Sequence, residues 1–181
     1  HKNGAPDSSS GVSGGGDSGN TSELTIIGNI FYDCDHAALA KQGNFYTLLN
    51  NTVVHQTHAG GLDIDGDVVG LKDDATAEGA GFYLEGNLIL DAENLVRGRT
   101  NAIVTLTNNL IHQLAGTNWS GPGGNNATNN PLLTYVPQLS ETTNFTTWAA
   151  AQVLWDWFKP RAGSPAIATG PNGRDKGGAI A

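Results

Sequence analysis

Short apolar segments recur along the chain, each interrupted by an asparagine. The four clearest copies are IIGNIFYDC around Asn29, LLNNTVVHQ around Asn51, LEGNLILDA around Asn87 and LTNNLIHQL around Asn109. The first and last pairs are 22 residues apart, and the middle pair is 36 apart, which is one period plus a 14-residue insertion. We expect a degenerate fifth copy at NNPLL, with Asn130 following Asn109 by 21 residues.

Aligning the copies on their asparagine shows which positions are restricted. Positions five and three before it, and two after it, are apolar in every copy, and such alternation has the period of a β-strand. The position just before it holds Gly28, Asn50, Gly86 and Asn108. Because Gly and Asn reach left-handed backbone conformations at low cost, the asparagine marks a bend between two short strands.

A period near 22 residues, with short strands and one-residue bends, predicts a solenoid of parallel strands. Each turn of such a solenoid buries its apolar face by stacking on its neighbours. Asparagines one period apart would then form hydrogen bonds along a column. An antiparallel sandwich predicts irregular spacing and hairpins at Asn-Gly or Asp-Gly, which this repeat does not fit.

The rest of the chain is divided by composition. Residues 1–22 are rich in Gly and Ser and are predicted to form a linker or long loop, whereas 23–181 are predicted to form the repeat domain, with an insertion at 62–80. We expect a helix at 145–158, capped by Asn144 and stopped by Pro160, that covers the surface or the end of the solenoid and its strand edges.

Charge and hydropathy exclude several classes of partner. The 181 residues carry a formal net charge of -8, which argues against nucleic acid, since phosphate binding relies on clustered Lys and Arg. No run of 18 apolar residues predicts a membrane span. The single cysteine, Cys34, excludes an internal disulfide framework.

The repeat and the chain ending FKPRAGSPAIATGPNGRDKGGAIA resemble right-handed parallel β-helix proteins of the pectate-lyase-like superfamily. In that group a GSPA(I/L)-type segment followed by D-x-G-A often closes the final coil. The resemblance covers about residues 24–181. It implies an all-β fold, a right-handed parallel β-helix (solenoid) of about four to five coils, in a secreted protein located extracellularly or at the cell surface.

Several titratable side chains fall in columns that a solenoid would bring to one corner. Four, six and seven positions past the asparagine, the columns place carboxylates beside imidazoles, which could serve acid/base chemistry or bind calcium. The alternative is an exposed turn that tolerates polar residues. The catalytic candidates at this corner are Asp33, His55 and Asp91, and the substrate-binding candidates are His36, His58 and Glu93; Asp35 belongs to the same corner.

Two further groups extend these expectations. Asp63, Asp65 and Asp67 alternate in the insertion, and an extended strand would point them to one side as in a calcium loop, although no Glu stands at the twelfth place. In the lyases of the superfamily, calcium neutralises a uronate and a Lys or Arg removes a proton. Lys41 and Arg99, twelve positions past their asparagines, are the candidates for that base.

Two functional hypotheses follow. The first is a non-catalytic extracellular module, structural or glycan-binding, that joins upstream coils of a larger β-helix or another copy stacked end to end, because the N-terminal end carries no recognisable cap. The second is a polysaccharide-degrading enzyme, a calcium-assisted lyase or a hydrolase, acting on an acidic polysaccharide.

Overall fold

The computed structural model describes residues 10–14, 22–41, 43–56, 67–71, 81–97, 103–114, 121–138, 141 and 145–178. Thirteen short strands and two short helices account for most of the regular structure in these ranges. The strands are β1 Ser10–Gly14, β2 Glu23–Ile27, β3 Ile30–Tyr32, β4 His36–Ala40, β5 Phe45–Leu49, β6 Thr52–Gln56, β7 Asp67–Leu71, β8 Gly81–Glu85, β9 Leu88–Ala92, β10 Asn94–Arg97, β11 Ile103–Thr107, β12 Leu110–Leu114 and β13 Gly123–Gly124, and the helices are α1 Trp148–Ala151 and α2 Val153–Trp157.

All strand pairs are parallel and form three sheets. Sheet A has the order β1-β4-β7-β10, sheet B β13-β11-β8-β5-β2, and sheet C β12-β9-β6-β3. The chain passes through sheets B, C and A in the same order again and again, and we call one such passage a coil. This architecture is consistent with a parallel β-solenoid, which agrees with the 22-residue repeat.

Part of the predicted insertion at 62–80 belongs to the sheets. Strand β7 (Asp67–Leu71) pairs with β4 on one side and with β10 on the other, and Val68 and Val69 are fully buried. The second coil therefore carries a sheet A strand like its neighbours. Residues 62–66 and 72–80 lie outside the described ranges. The Asn-based alignment missed β7 because extra residues separate it from the preceding asparagine.

Two columns of left-handed residues make the bends. The predicted column, Gly28, Asn50, Gly86 and Asn108, has φ between 51° and 68° and separates sheet B from sheet C. A second column separates sheet C from sheet A, where Asp and His reach this conformation less readily than Gly. Its members are Asp33, His55, Asp91 and Gln113, with φ between 51° and 57°.

The core lies between the three sheets and consists of stacked columns of apolar side chains. In sheet B, for example, Leu48, Leu84 and Leu106 occupy one column and are fully buried. Sheet C contributes Phe31, Val53, Ile89 and Ile111 from the position two after the asparagine. These are the positions that the alternation in the sequence assigned to one face.

The C-terminal segment, residues 131–178, covers the outer face of sheet C. Leu154, Phe158 and Ala166 of this segment pack with Leu88 and Leu110 of sheet C in a second apolar cluster. The helix therefore covers the face of a sheet and not its strand edges. Because sheet C is buried on both sides, its strands carry consecutive apolar residues, as in LILDA.

The helical region differs from the single helix predicted at 145–158. It consists of α1 and α2, which meet at Gln152, and α1 begins at Trp148. The Thr147 side chain caps α1 by accepting a hydrogen bond of 3.2 Å from the Ala150 N–H. The predicted cap, Asn144, lies outside the described residues. No helix in the described part of the chain has the length and apolar character to cross a membrane.

The GSPA and DKGG segments near the C-terminus lock this covering in place. The Ser164 hydroxyl donates to the Pro131 carbonyl, and Asp175 accepts a 2.8 Å hydrogen bond from the Ala168 N–H. The Gly177 N–H donates to the Gly86 carbonyl, and the Gly178 N–H donates to the Thr52 hydroxyl. Side chains at these glycines would meet the sheet B to sheet C bend, so the close approach requires their absence.

Candidate functional site

A ladder of asparagine side chains runs along the bend between sheets B and C. The backbone N–H and Nδ2 of each ladder asparagine donate to Oδ1 of the next, at 2.8 to 3.3 Å. Nδ2 of the inner ones also donates to a backbone carbonyl of the neighbouring coil, as from Asn51 to Ile26. The predicted column is thus observed, and the ladder asparagines are Asn29, Asn51, Asn87, Asn109 and Asn126.

The last member differs from the expected one. Asn109 donates to Asn126, which follows it by 17 residues, whereas Asn130 uses its side chain locally to accept from the Leu132 N–H. The placement of Asn130 in the ladder was therefore wrong. A shortened final repeat explains the error, because the sequence search assumed a constant period.

The predicted polar corner lies at the bend between sheets C and A, and His55 is its centre. Nδ1 of His55 is hydrogen-bonded to Oδ2 of Asp91 on the next coil. Nε2 contacts the Pro137 carbonyl oxygen of the C-terminal segment at 3.0 Å. The Tyr32 ring packs edge-on against the imidazole, with 5.7 Å between ring centroids.

The surroundings of His55 favour its charged form. Burial by itself lowers the pKa of His55, but the hydrogen bonds to Asp91 and the Pro137 carbonyl and the negative charges of Asp91 and Asp33 outweigh it, so the pKa is raised. The hydrogen bond from His55 lowers the pKa of Asp91, partly opposed by burial. Both ring nitrogens of the imidazolium then donate, and neither is free to accept a proton from a substrate.

This geometry makes His55 a connection between the coils and the C-terminal segment. Asp33 lies in the same column as His55 and Asp91, and its backbone N–H donates to the Val54 carbonyl. Asp35 and His36 are each only 2% exposed. That leaves little of either side chain for a polymeric ligand to contact.

The remaining predicted site residues are spread over sheet A or lie outside the described ranges. Glu93 immediately precedes β10 and Lys41 immediately follows β4, so the two are at opposite ends of sheet A strands, roughly 15 Å apart along the strand direction. The structure describes neither His58, Asp63, Asp65 nor Arg99; Asp67 begins β7 beside His36.

The proposed calcium site stays a prediction. Within the described ranges, no group of three or more His, Cys, Asp or Glu side chains is arranged to hold a metal ion. Two of the three alternating aspartates, Asp63 and Asp65, lie outside those ranges, so the structure does not test the set as a whole.

A cleft at the N-terminal end of the molecule was not anticipated from the sequence. It has a volume of about 360 Å³ and lies between the start of sheet C and the two helices. The aromatic residues of 145–158 were expected to pack, and Phe158 is fully buried, but Trp148 is 71% exposed and Trp155 36%. The cleft is lined by Asn29, Ile30, Thr146, Thr147, Trp148, Ala151, Leu154 and Trp155.

Comparison with known proteins adds no relative: no family model, no curated protein and no solved structure matches this chain.

Proposed function

We propose that this chain is a structural module of a secreted, right-handed parallel β-helix protein, and that its N-terminal end joins further parallel coils at the cell surface. One observation carries the proposal. Leu24 is 39% exposed, whereas Tyr46, Phe82 and Val104, which continue its column on the following coils, are 1%, 0% and 5% exposed. A core position is thus open to solvent in the first coil alone.

The polarity of the ladder supports the same conclusion. Each ladder Oδ1 accepts from the asparagine of the preceding coil, so Asn29 presents its Oδ1 towards the N-terminal end. Among the described residues nothing donates to that oxygen, and at the other end nothing accepts from the backbone N–H of Asn126. A further coil with an asparagine in register would supply the missing donors.

The backbone edges add to this support. Strands β2 and β3 are the outermost strands of sheets B and C at the N-terminal end. A parallel edge with exposed apolar residues favours the addition of another strand. The added coils would come from upstream sequence of the same protein or from another copy of the chain stacked end to end.

Self-association of the full chain tests the second source. We would measure molar mass against concentration for the native chain and for Leu24→Lys, which places a charge on the open end. Ile103→Lys is the matched control, because Ile103 is 57% exposed on the outer face of sheet B, away from that end. Concentration-dependent assembly lost only in Leu24→Lys supports end-to-end stacking of copies, and assembly that survives the substitution contradicts it.

Binding of an apolar fluorescent dye tests the open end in the monomer. We expect Leu24→Lys to reduce dye binding and Ile103→Lys to leave the end unaffected. Equal effects of the two substitutions would mean that the first coil is no more open than the outer face of sheet B, and the proposal would fail.

Two features argue against the polysaccharide-degrading alternative. The nitrogens of His55 are both engaged, and the net charge of -8 repels uronate polymers. The lyase hypothesis still predicts a rise in ultraviolet absorbance from an unsaturated product when the protein is incubated with alginate, pectate or chondroitin. No rise with any of the three polymers would remove it.

A further inference from the structure

The C-terminal segment reaches beyond the first coil. On the outer face of sheet C, the position directly after the ladder asparagine is covered by this segment: Leu88 and Leu110 are fully buried there, beside Leu154 and Phe158. At the first coil the same position is Ile30, and the covering continues past it. Trp148, Ala151 and Trp155 extend from the segment over the space where no coil lies, and the 360 Å³ cleft is that space.

We propose that the cleft is a socket for a large apolar side chain carried by the adjoining coil, directly after its ladder asparagine. The inference rests on the proposed function, because it names the kind of coil that the open end receives. The interface between sheet C and the C-terminal segment is already apolar at three successive coils, through Ile30, Leu88 and Leu110. The socket continues this interface by one more coil.

The lining of the cleft fits an apolar occupant. Ile30, Ala151, Leu154 and the two indole rings supply most of the surface, and none of the lining residues is charged. A Leu, Ile or Phe side chain in this place would bury apolar area from both partners, including that of Trp148, which is 71% exposed. Burial of such a side chain contributes about 1.5–3 kcal/mol.

The same geometry discriminates between the two sources of coils. In a stack of identical copies the last coil of one copy would lie on the first coil of the next, and Asn126 would donate to Asn29. The residue that enters the socket would then be Ala127, whose side chain is a single methyl group. Most of the cleft would stay empty, which is unfavourable. The socket therefore fits a coil that carries Asn followed by Leu or Ile, unlike the last coil of this chain.

The register of sheet A allows such a coil to be built. Ser10 and Asp67 both pair with His36, and Asp67 pairs with Asn94, so Ser10 and Asn94 hold equivalent positions. A copy of residues 81–93 placed directly before Ser10, in place of residues 1–9, would therefore add a sheet B and a sheet C strand in register. The Leu copied from position 88 would then enter the socket.

The experiment compares three full-length chains: the native chain, the graft, and the graft with Leu88→Ala in the grafted copy only. Stability is measured by thermal unfolding, and accessibility of Trp148 by acrylamide quenching, with Trp148→Phe in each background to isolate its signal. We expect the graft to unfold at the highest temperature and to reduce quenching of Trp148 several-fold. The alanine graft should unfold between the graft and the native chain, with Trp148 still accessible.

The outcomes separate this inference from the proposed function. Equal stabilisation by both grafts, with Trp148 accessible in each, would overturn the socket while the open end still accepts a coil. Stabilisation by neither graft would overturn both proposals. A saturable decrease in Trp148 quenching when the native chain is titrated with the neutral oligosaccharide cellohexaose would assign the cleft to a sugar and also overturn the socket.

Discussion

The backbone N–H of Asn51 donates a 2.8 Å hydrogen bond to Oδ1 of Asn87, although 36 residues separate the two in the sequence. Asn29 and Asn51, and likewise Asn87 and Asn109, make the same contact across 22 residues. The extra residues of the second coil thus leave the register of the ladder unchanged. A hydrogen-bonded column, and not a constant coil length, keeps the coils aligned.

Asn87→Ala should destabilise the protein strongly. The side chain of Asn87 accepts from Asn51 and donates to Asn109 and to the Leu48 carbonyl, and the residue is 1% exposed. Each buried group left without a partner costs roughly 1–3 kcal/mol, so we expect a loss of about 3–5 kcal/mol in the free energy of unfolding. Denaturant titration measures it.

Asn29→Ala is the control for that substitution. Asn29 is exposed and has a neighbour on one side only, so the loss should be near 1 kcal/mol, the size of a typical hydrogen bond. Equal losses for Asn29→Ala and Asn87→Ala would contradict the idea that burial makes the ladder strong.

Gly86→Ala should be more harmful than Gly28→Ala, although both glycines have nearly the same positive φ, 67° and 68°. The left-handed conformation costs an alanine about 1–2 kcal/mol at either position. At Gly86 the new methyl group would also overlap the Asn50 side chain and lie 2.7 Å from Cδ of Pro171, whereas nothing lies within 4 Å at Gly28.

The difference between the two free energies of unfolding isolates this steric conflict. We expect it to be about 1–3 kcal/mol, the range for overpacking. If the two variants unfold alike, the contact between the C-terminal segment and the bend is not as close as the structure shows.

The hydrogen bonds of His55 should make stability depend on pH. The pKa of His55 is raised in the folded state, so its contribution is fully present below the unfolded pKa of about 6.5 and is lost as pH rises through the folded pKa. The pKa of Asp91 is lowered, so its contribution is present above an unfolded value of about 3.9 and is lost as pH falls through the folded pKa.

The stability lost in His55→Gln should therefore be largest at about pH 5 to 6 and should shrink towards alkaline pH. Thermal unfolding of both proteins across this range measures it. In Asp91→Asn, an NMR titration should show a lower pKa for His55 than in the native chain. An unchanged His55 pKa in that variant would refute the assigned pairing.

Phe158→Ala and Trp148→Ala should have opposite effects on stability, although both aromatic residues belong to the segment predicted as one helix. Phe158 is fully buried against Tyr32, with 5.7 Å between the ring centroids, and its truncation should cost about 3–5 kcal/mol. Trp148→Ala removes an exposed ring and should change the free energy of unfolding by less than about 0.5 kcal/mol. A large loss in Trp148→Ala would show that its ring packs against part of the protein.

The sequence by itself determined the features that repeat at short range. The alternation of apolar residues gave the strands of sheets B and C, the Gly and Asn residues gave the first bend, and the 22-residue spacing gave the ladder. Each rests on local backbone preference and on a period that a single strand or bend already shows.

Only the tertiary structure decided the features that depend on distant partners. Strand β7 exists because β4 and β10 accept it on both sides, and Asn126 joins the ladder because a shortened coil brings it to Asn109. The corner was expected to be exposed chemistry, yet His55 holds the C-terminal segment through Pro137. Trp148 and Phe158 are alike in sequence and differ in burial, because exposure depends on where sheet C ends and not on the residue.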